Sequence, residues 1–443
     1  MSCIYWFGKI FIPRAARLNF DNRILGSMFF AVKSLCTALN NPNNTTRGQY
    51  LEARRQLAAQ SASIRSAILS LYAVAFLTSS GFGAFGVIVP LYMRDLGVSF
   101  VGLGLAFSVF GIATAVMGTF FGRHSDIVGR KPYLVLSLGL SAVFNFLYTQ
   151  ATGVFDFVIL QALRGVSASL GGVMVPALMT DLAKESERGR KFGRMGGFRW
   201  LGVGLGYFLG GAFSHFLGYN LSFILVSVLT LVSCFLVLGF VPSYRLPSRE
   251  RFNIAFVKGV SSNLKIWLLI SFVTALVIGP VEVMVIPSYA VEPGPLGIDK
   301  IVFGTFMSVG YILSSSTQFI GGNLADKYNR RKLASLFFLV SAPFIGFQPL
   351  FPNFPYFASM YVLEGVGEGL SHPCRDAIVA SSVRPKHRGF DFSIVNVLGS
   401  VGNTVGFLGI GLVCDTVGFV YPFVLRAIVY VIVAILIYLK LTD

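Results

Sequence analysis

The chain's 443 residues are 54% hydrophobic and only 12% charged, against roughly 25% charged in a soluble domain, so water cannot be its sole solvent. A formal net charge of +17 would point to nucleic acid in a soluble protein, but a membrane protein collects Lys and Arg in loops on one side, and their placement decides between the two. Five scattered cysteines (Cys3, Cys36, Cys234, Cys374, Cys414) lack any CxxC or Cys/His spacing, so they read as small apolar fillers and imply neither a metal nor a redox compartment.

In chain order, residues 1–63 stand apart. They carry Lys9, Arg14, Arg17, Arg23, Lys33, Arg47, Arg54 and Arg55 against only Asp21 and Glu52, and no apolar run precedes a clear signal-peptidase site. The expectation is a cytoplasmic basic leader, interfacial or disordered, with a targeting presequence or a start at Met28 or later as alternatives. Long apolar stretches then follow near 66–93, 99–121, 132–150, 154–182, 192–217 and 219–241. A second set lies near 264–290, 301–324, 332–350, 355–382, 390–414 and 419–440. At roughly 20 residues per span, these predict twelve transmembrane helices in an all-α membrane protein. The runs lack the period-2 alternation of a membrane barrel.

The connections around 122–131, 183–194, 242–265, 325–332 and 383–389 hold twenty Lys and Arg, and the alternate connections hold only Arg94 and Lys300. By the positive-inside rule the basic loops and both termini face the cytoplasm, so the charge reflects topology and nucleic-acid binding falls away. The expected domains are 64–241, a cytoplasmic linker at 242–263, and 264–443.

The two halves match at a constant offset of 200 residues. Leu96-Gly97 answers Leu296-Gly297, Gly104 answers Gly304, Gly165-Val166 answers Gly365-Val366, and Gly202 and Gly206 answer Gly402 and Gly406. Six helices per half make the repeats parallel in topology, two six-helix bundles related by a pseudo-two-fold axis along the membrane normal. Such a pair leaves a solute site between its halves near mid-membrane, exposed to either side by rocking.

Two loops carry the strongest local signal. Gly122-Arg-His-Ser-Asp126-Ile-Val-Gly129-Arg130-Lys131 is answered by Gly322-Asn-Leu-Ala-Asp326-Lys-Tyr-Asn-Arg330-Arg331. Here the chain resembles the major facilitator superfamily, whose loop signature is GxxxDxxGRK. The resemblance implies a cytoplasmic latch between the halves that breaks when the cavity opens inward. In the second copy Asn329 stands where the family prefers Gly, although Asn tolerates positive φ. Gly193, Gly202, Gly206, Tyr207, Gly210 and Gly211 resemble the family's antiporter motif, with Tyr207 in place of Pro. That motif implies a glycine groove and a bend, and the missing Pro removes the reason for the bend. Any membrane helix also uses small residues as a packing face.

Charges inside the apolar runs supply the candidate chemistry. Arg164 and Arg199 each cost ~2.5–3.5 kcal/mol at a helix centre on insertion scales, so each should face a cavity or a partner. Glu364, Glu368 and His372 recur every four residues and share one helix stripe, and Glu282 lies beside Pro280. The expectation is that Arg164, Glu282, Glu364 and Glu368 line the central cavity, with a carboxylate as proton site. The alternative is a structural ion pair of Glu364 or Glu368 with an Arg across the bundle. Asn145, Gln318, Asn396, Asn403, Phe82, Phe85, Trp200, Tyr207 and Tyr361 are candidate substrate contacts or helix bridges.

The resemblance implies a secondary active transporter of a small organic solute in the cell membrane, first of all proton-coupled efflux in the manner of the drug:proton antiporter branch. Proton-coupled or facilitated uptake of a metabolite such as an organic anion is the alternative, and a non-transporting membrane sensor is a third reading. No Ser/His/Asp, Cys/His or HExxH constellation suggests an enzyme, and no GxxxxGK[ST] loop suggests an ATP-driven pump. The expected partners are the solute, protons or another coupling ion, and the bilayer, with no cofactor and a monomeric chain.

Overall fold

The computed structural model describes residues 44–182, 188–242, 261–383 and 388–441. Residues 1–43 of the expected leader and 243–260 of the expected linker lie outside the described residues. The rest is an all-helical membrane protein. In the first half the helices are α1 (Asn44–Asp95), α2 (Phe100–Val128), α3 (Arg130–Leu147), α4 (Val154–Leu182), α5 (Arg188–Phe216) and α6 (Gly218–Phe240). The second half opens with α7 (Ser262–Ala275), a short α8 (Ile278–Pro280), a π turn (Val281–Val285) and α9 (Ile286–Ala290). It continues with α10 (Lys300–Lys327), α11 (Arg330–Phe347), α12 (Phe354–Ser382), α13 (Arg388–Thr416) and α14 (Val420–Lys440). Helix α1 begins at Asn44, within the expected leader, and runs unbroken into the first apolar stretch.

The 200-residue offset is written into the backbone. Helices α3, α4 and α5 start 200 residues before α11, α12 and α13, and a 3-10 turn follows both α3 (Tyr148–Gln150) and α11 (Gln348–Leu350). Gly97 and Gly297 both take positive φ, 75° and 58°, a region that side chains with a Cβ avoid. The largest departure from this match lies in the first span of each half. Against the continuous α1 stands the interrupted run α7 to α9, where Pro280 leads into the π turn that carries Glu282. A π turn inserted in a helix is a frequent mark of a functional position.

Among the described residues, nine helical segments are long and apolar enough to cross a membrane. Helices α5, α10 and α12 are as long, at 29, 28 and 29 residues, but more polar. Helix α5 carries Arg194 and Arg199, α10 is rich in Gly and Ser, and α12 carries Glu364, Glu368 and Arg375. These polar and small residues lower their mean hydropathy, which is why hydropathy alone does not single them out. Outward-facing Phe155, Phe216, Phe235, Phe319 and Leu439 are at least 66% exposed, as a lipid solvent allows.

The buried apolar residues form three clusters. The largest draws on both repeats, joining Ile88, Leu103 and Phe223 to Met284, Phe303 and Phe423 near the Asp95 end of α1. Toward the Gly129 end, the clusters separate. One holds Leu71, Leu138 and Met179 of the first repeat, and the other Phe338, Ile345 and Ile437 of the second. The repeats are thus fused at one end and packed independently at the other.

Candidate functional site

A cavity of about 580 Å³ opens between α1, α3, α4 and α5, with Phe110 of α2, Thr230 of α6 and Tyr311 of α10 completing its wall. Arg164 and Arg199 both line it. Arg164, half-buried on α4, lays its guanidinium 3.8 Å from the centre of the Phe85 ring and 5.7 Å from that of Phe110. Tyr148 adjoins it from the turn after α3. Among the described residues no carboxylate pairs with Arg164 or Arg199, and none lines the cavity. Asn145 donates to Thr230 Oγ1 at 3.2 Å, and its own amide oxygen is left without a partner.

The acids gather elsewhere. Glu364 of α12 is 2% exposed and accepts from Arg426 Nη2 of α14 at 2.5 Å and from Gln348 Nε2 at 2.9 Å. Glu282 lies 3.5 Å from Arg426 Nη1 and accepts from the hydroxyls of Tyr361 at 2.6 Å and Tyr311 at 3.4 Å. Glu368 faces His372 across one helical turn at 3.7 Å. Glu282, Glu364 and Glu368 are therefore not among the cavity-lining residues. Tyr311 joins the two regions, because it lines the cavity, hydrogen-bonds Glu282 and stacks on Tyr207 with ring centres 4.9 Å apart.

Arg426 escaped the sequence reading. Its signal was present: a lone Arg within the apolar run Val420–Lys440, where an unpartnered cation is expensive. Gln348 and Tyr311 had no comparable signal, since single polar residues in such runs usually only bridge helices. At the 200-residue offset Arg164 answers Glu364 and Tyr148 answers Gln348. Equivalent positions thus hold opposite charges, the cation open to the cavity and the anion enclosed.

The glycines of α5 divide between two neighbours. A Cβ at Gly202, Gly206 or Gly210 would meet backbone of Phe76, Ser80 or Ala84 on α1, and one at Gly211 would meet Lys300 and Gly304 on α10. Gly193 has open space around it. In the second repeat Gly402 and Gly406 approach Phe272 on α7 and Leu276 just past its end, while Gly104 and Gly304 meet Phe407 and Tyr207 across the repeats. Tyr207 is buried against Gly86, and α5 continues through it as regular helix.

The Asp95 end is closed by polar contacts between the repeats. Asp415 of α13 accepts from the backbone N–H groups of Phe100 and Val101 at 3.0 and 2.8 Å, satisfying donors that the start of α2 would leave free. Lys300 pairs with Asp95 at 3.2 Å, and the Tyr219 hydroxyl donates to the same carboxylate at 2.6 Å.

A family model described as the Major Facilitator Superfamily matches residues 71–294 and 284–443. The chain belongs to the major facilitator superfamily. It is thus a transporter of that family and no enzyme. It is 20% identical over 383 residues to the MFS-type transporter MJ1560 of Methanocaldococcus jannaschii, covering 84% of this chain and 98% of that protein. The multidrug resistance protein MdtG of Proteus mirabilis is 26% identical over 366 residues, 78% of this chain and 88% of the relative. A solved bacterial homologue of the human lysosomal transporter Spinster, in an inward-facing and unoccupied conformation, superposes with TM-score 0.71 at 14% identity. That likeness covers 85% of this chain and 97% of the other.

In this major facilitator the two signature loops differ in construction. Side chains from Gly122 through Val128, Asp126 included, lie outside the described residues. Gly129 takes φ 109°, a conformation that calls for glycine, and Arg130 pairs with Asp181 at 2.7 Å while Lys131 donates to the Leu238 carbonyl at 2.9 Å. In the second copy Asn329 sits at φ −61° rather than in the positive-φ conformation that Asn tolerates. Its side chain caps α11 by accepting from Lys332 N at 2.9 Å, the usual service of Asn at a helix start. Arg330 and Arg331 donate to the carbonyls of Ala325 and Leu441 at 3.1 and 2.6 Å. Asp326 is exposed, and Gly322 has open space around it.

Proposed function

We propose that the protein is a secondary active transporter that moves a small organic solute out of the cell by alternating access between two six-helix bundles, in exchange for protons. The observation that carries this reading is Tyr311, which borders the cavity with one face and hydrogen-bonds Glu282 with its hydroxyl. Glu282 and a second carboxylate behind it, Glu364, share the one Arg426 guanidinium within the membrane. The group carries one excess negative charge, so a single proton neutralises it without dismantling the pairs. A solute pressing on Tyr311 thereby acts on a site that can hold or release a proton.

Alternating access is supported by the three cores. Fusion at the Asp95 end and separation at the Gly129 end suit an inward-facing state, with the basic Gly129 end in the cytoplasm under the positive-inside rule. The latch residues of both loops would engage when that end closes. Export is supported by the glycine groove of α5 and by the multidrug resistance in the name of the Proteus relative. The cell membrane is the proposed location, with both termini cytoplasmic.

Proteoliposomes with an imposed pH gradient test the reading. Collapse of the gradient that depends on added solute and is lost in Glu282→Gln or Glu364→Gln is the expected result. Solute moving with protons rather than against them would replace export by uptake. No solute-dependent flux of protons or solute from folded, oriented protein would leave the sensor reading standing.

A further inference from the structure

We propose that the cavity takes an organic anion with an aromatic or apolar body, its acidic group held by Arg164. The inference deepens the transport reading, since it concerns the charge of the solute at the same cavity. Arg164 and Arg199 are the charged residues among those lining the cavity, so an occupant meets positive charge without an opposing acid. Arg164 is not neutralised from behind either. It stacks on Phe85 and faces Phe110, contacts that fix the guanidinium plane through its π face. Tyr148 engages one edge of the guanidinium, and the remaining donors of its five-donor fork present the geometry that matches a carboxylate or sulfonate.

The remaining wall fits such a body. Phe82, Phe85, Phe110 and Trp200 supply aromatic faces. A cavity of about 580 Å³ lies within the roughly 300–1,000 Å³ that ordinary ligand pockets occupy. A lipophilic cation, by contrast, would bring a second positive charge against an unscreened guanidinium in a low-dielectric wall, where like charges repel most strongly. The acids that would welcome a cation are already paired with Arg426 and His372.

Equilibrium binding to the full chain in lipid nanodiscs, with no gradient, tests the charge preference separately from transport. The probes are 1-naphthaleneacetate, the neutral 1-naphthaleneacetamide and the cationic 1-naphthalenemethylamine, titrated calorimetrically. The acetate is expected to bind at least about tenfold tighter than either companion. Arg164→Gln should erase that preference while leaving acetamide binding within about threefold, and Arg164→Lys should retain part of it. Equal affinities, a preference for the amine, or no binding of the acetate to wild-type protein would overturn the proposal. Because the wild-type comparison suffices, a misfolded variant does not protect it. Anion binding without any solute flux in proteoliposomes would sink the transport reading and leave the site intact.

Discussion

Replacing Arg426 by Met removes the cation on which two membrane carboxylates depend and leaves a side chain of similar length. Arg426 is 1% exposed and Glu364 2%, so water cannot take over the solvation of either. Glu364 loses its 2.5 Å partner and keeps only the Gln348 amide at 2.9 Å. Glu282 loses a longer contact of 3.5 Å and keeps the hydroxyls of Tyr361 and Tyr311. The penalty therefore falls mainly on Glu364. Breaking one side of a buried pair costs about 3–5 kcal/mol, most of it the stranded charge. At about 2 °C per kcal/mol, the low end of the scaling for domains, the unfolding midpoint of detergent-purified protein should fall by about 6–10 °C. Adding Glu364→Gln removes the stranded charge, so the double variant should recover about 1–3 kcal/mol, the usual range of coupling between contacting residues. Thermal unfolding followed by tryptophan fluorescence reads both values. A fall of less than about 2 °C in the single variant, or a double variant no more stable than the single, would refute the account of Arg426 as the cation that sustains the buried carboxylates.

Three further outcomes follow from other contacts. Gly206→Ala should cost about 1–3 kcal/mol because its Cβ meets the Ser80 carbonyl, whereas Gly193→Ala, with open space around it, should change the unfolding midpoint by less than about 2 °C. Asp415→Asn weakens the cap on α2 and should shift the balance away from closure at the Asp95 end by about 1 kcal/mol, or roughly fivefold in population. Labelling of a cysteine introduced at Ser108, which is buried against Thr404, should speed up accordingly, and an unchanged rate would show that this cap does not hold the end shut. Tyr311→Phe keeps the stack on Tyr207 but removes the hydroxyl from Glu282, so solute binding should persist while solute-dependent proton flux falls at least about tenfold. Equal losses of both would deny Tyr311 a linking role.

The membrane fold was legible because its determinants are local and repeated. Apolar run length set the helices, and paired glycines such as Gly97 with Gly297 and Gly206 with Gly406 marked the internal repeat before any packing was known. The helix boundaries of α3, α4 and α5 against those of α11, α12 and α13 follow the same offset. Asn329 was harder, because Asn serves both positive φ and helix capping, and only the backbone distinguishes them. The candidate site was less legible still. A charge in an apolar run announces that it needs something, but not whether that need is met by a partner or left open to a ligand. Arg164 and Glu364 occupy equivalent places with the same signal, yet the charged partner of Glu364 lies 62 residues away on α14, while Arg164 meets aromatic faces and the Tyr148 side chain. Such pairings are set by helix rotation and neighbour choice, which no single stretch of sequence encodes.

The two repeats keep their likeness where backbone meets backbone and lose it where polar chemistry is done. Glycine contacts recur as mirrored pairs, Gly104 on Phe407 and Gly304 on Tyr207, Gly211 on Lys300 and Gly411 on Phe100. Seams of this kind tie together the helices that border both repeats, as the proposed rocking between bundles requires. At mid-depth the likeness breaks. Arg164 faces the cavity while Glu364 is enclosed, and the straight α1 is answered by a run interrupted at the π turn that holds Glu282. Under the proposed alternating access, symmetry in the seams would make two end states of similar energy accessible, and asymmetry in the charges would let an occupant weigh one state against the other. A ligand shifts such an equilibrium only by its difference in affinity for the two states. On the proposed reading, an anion on Arg164 and a proton in the Arg426 group act on opposite repeats, and Tyr311 is the contact through which each senses the other.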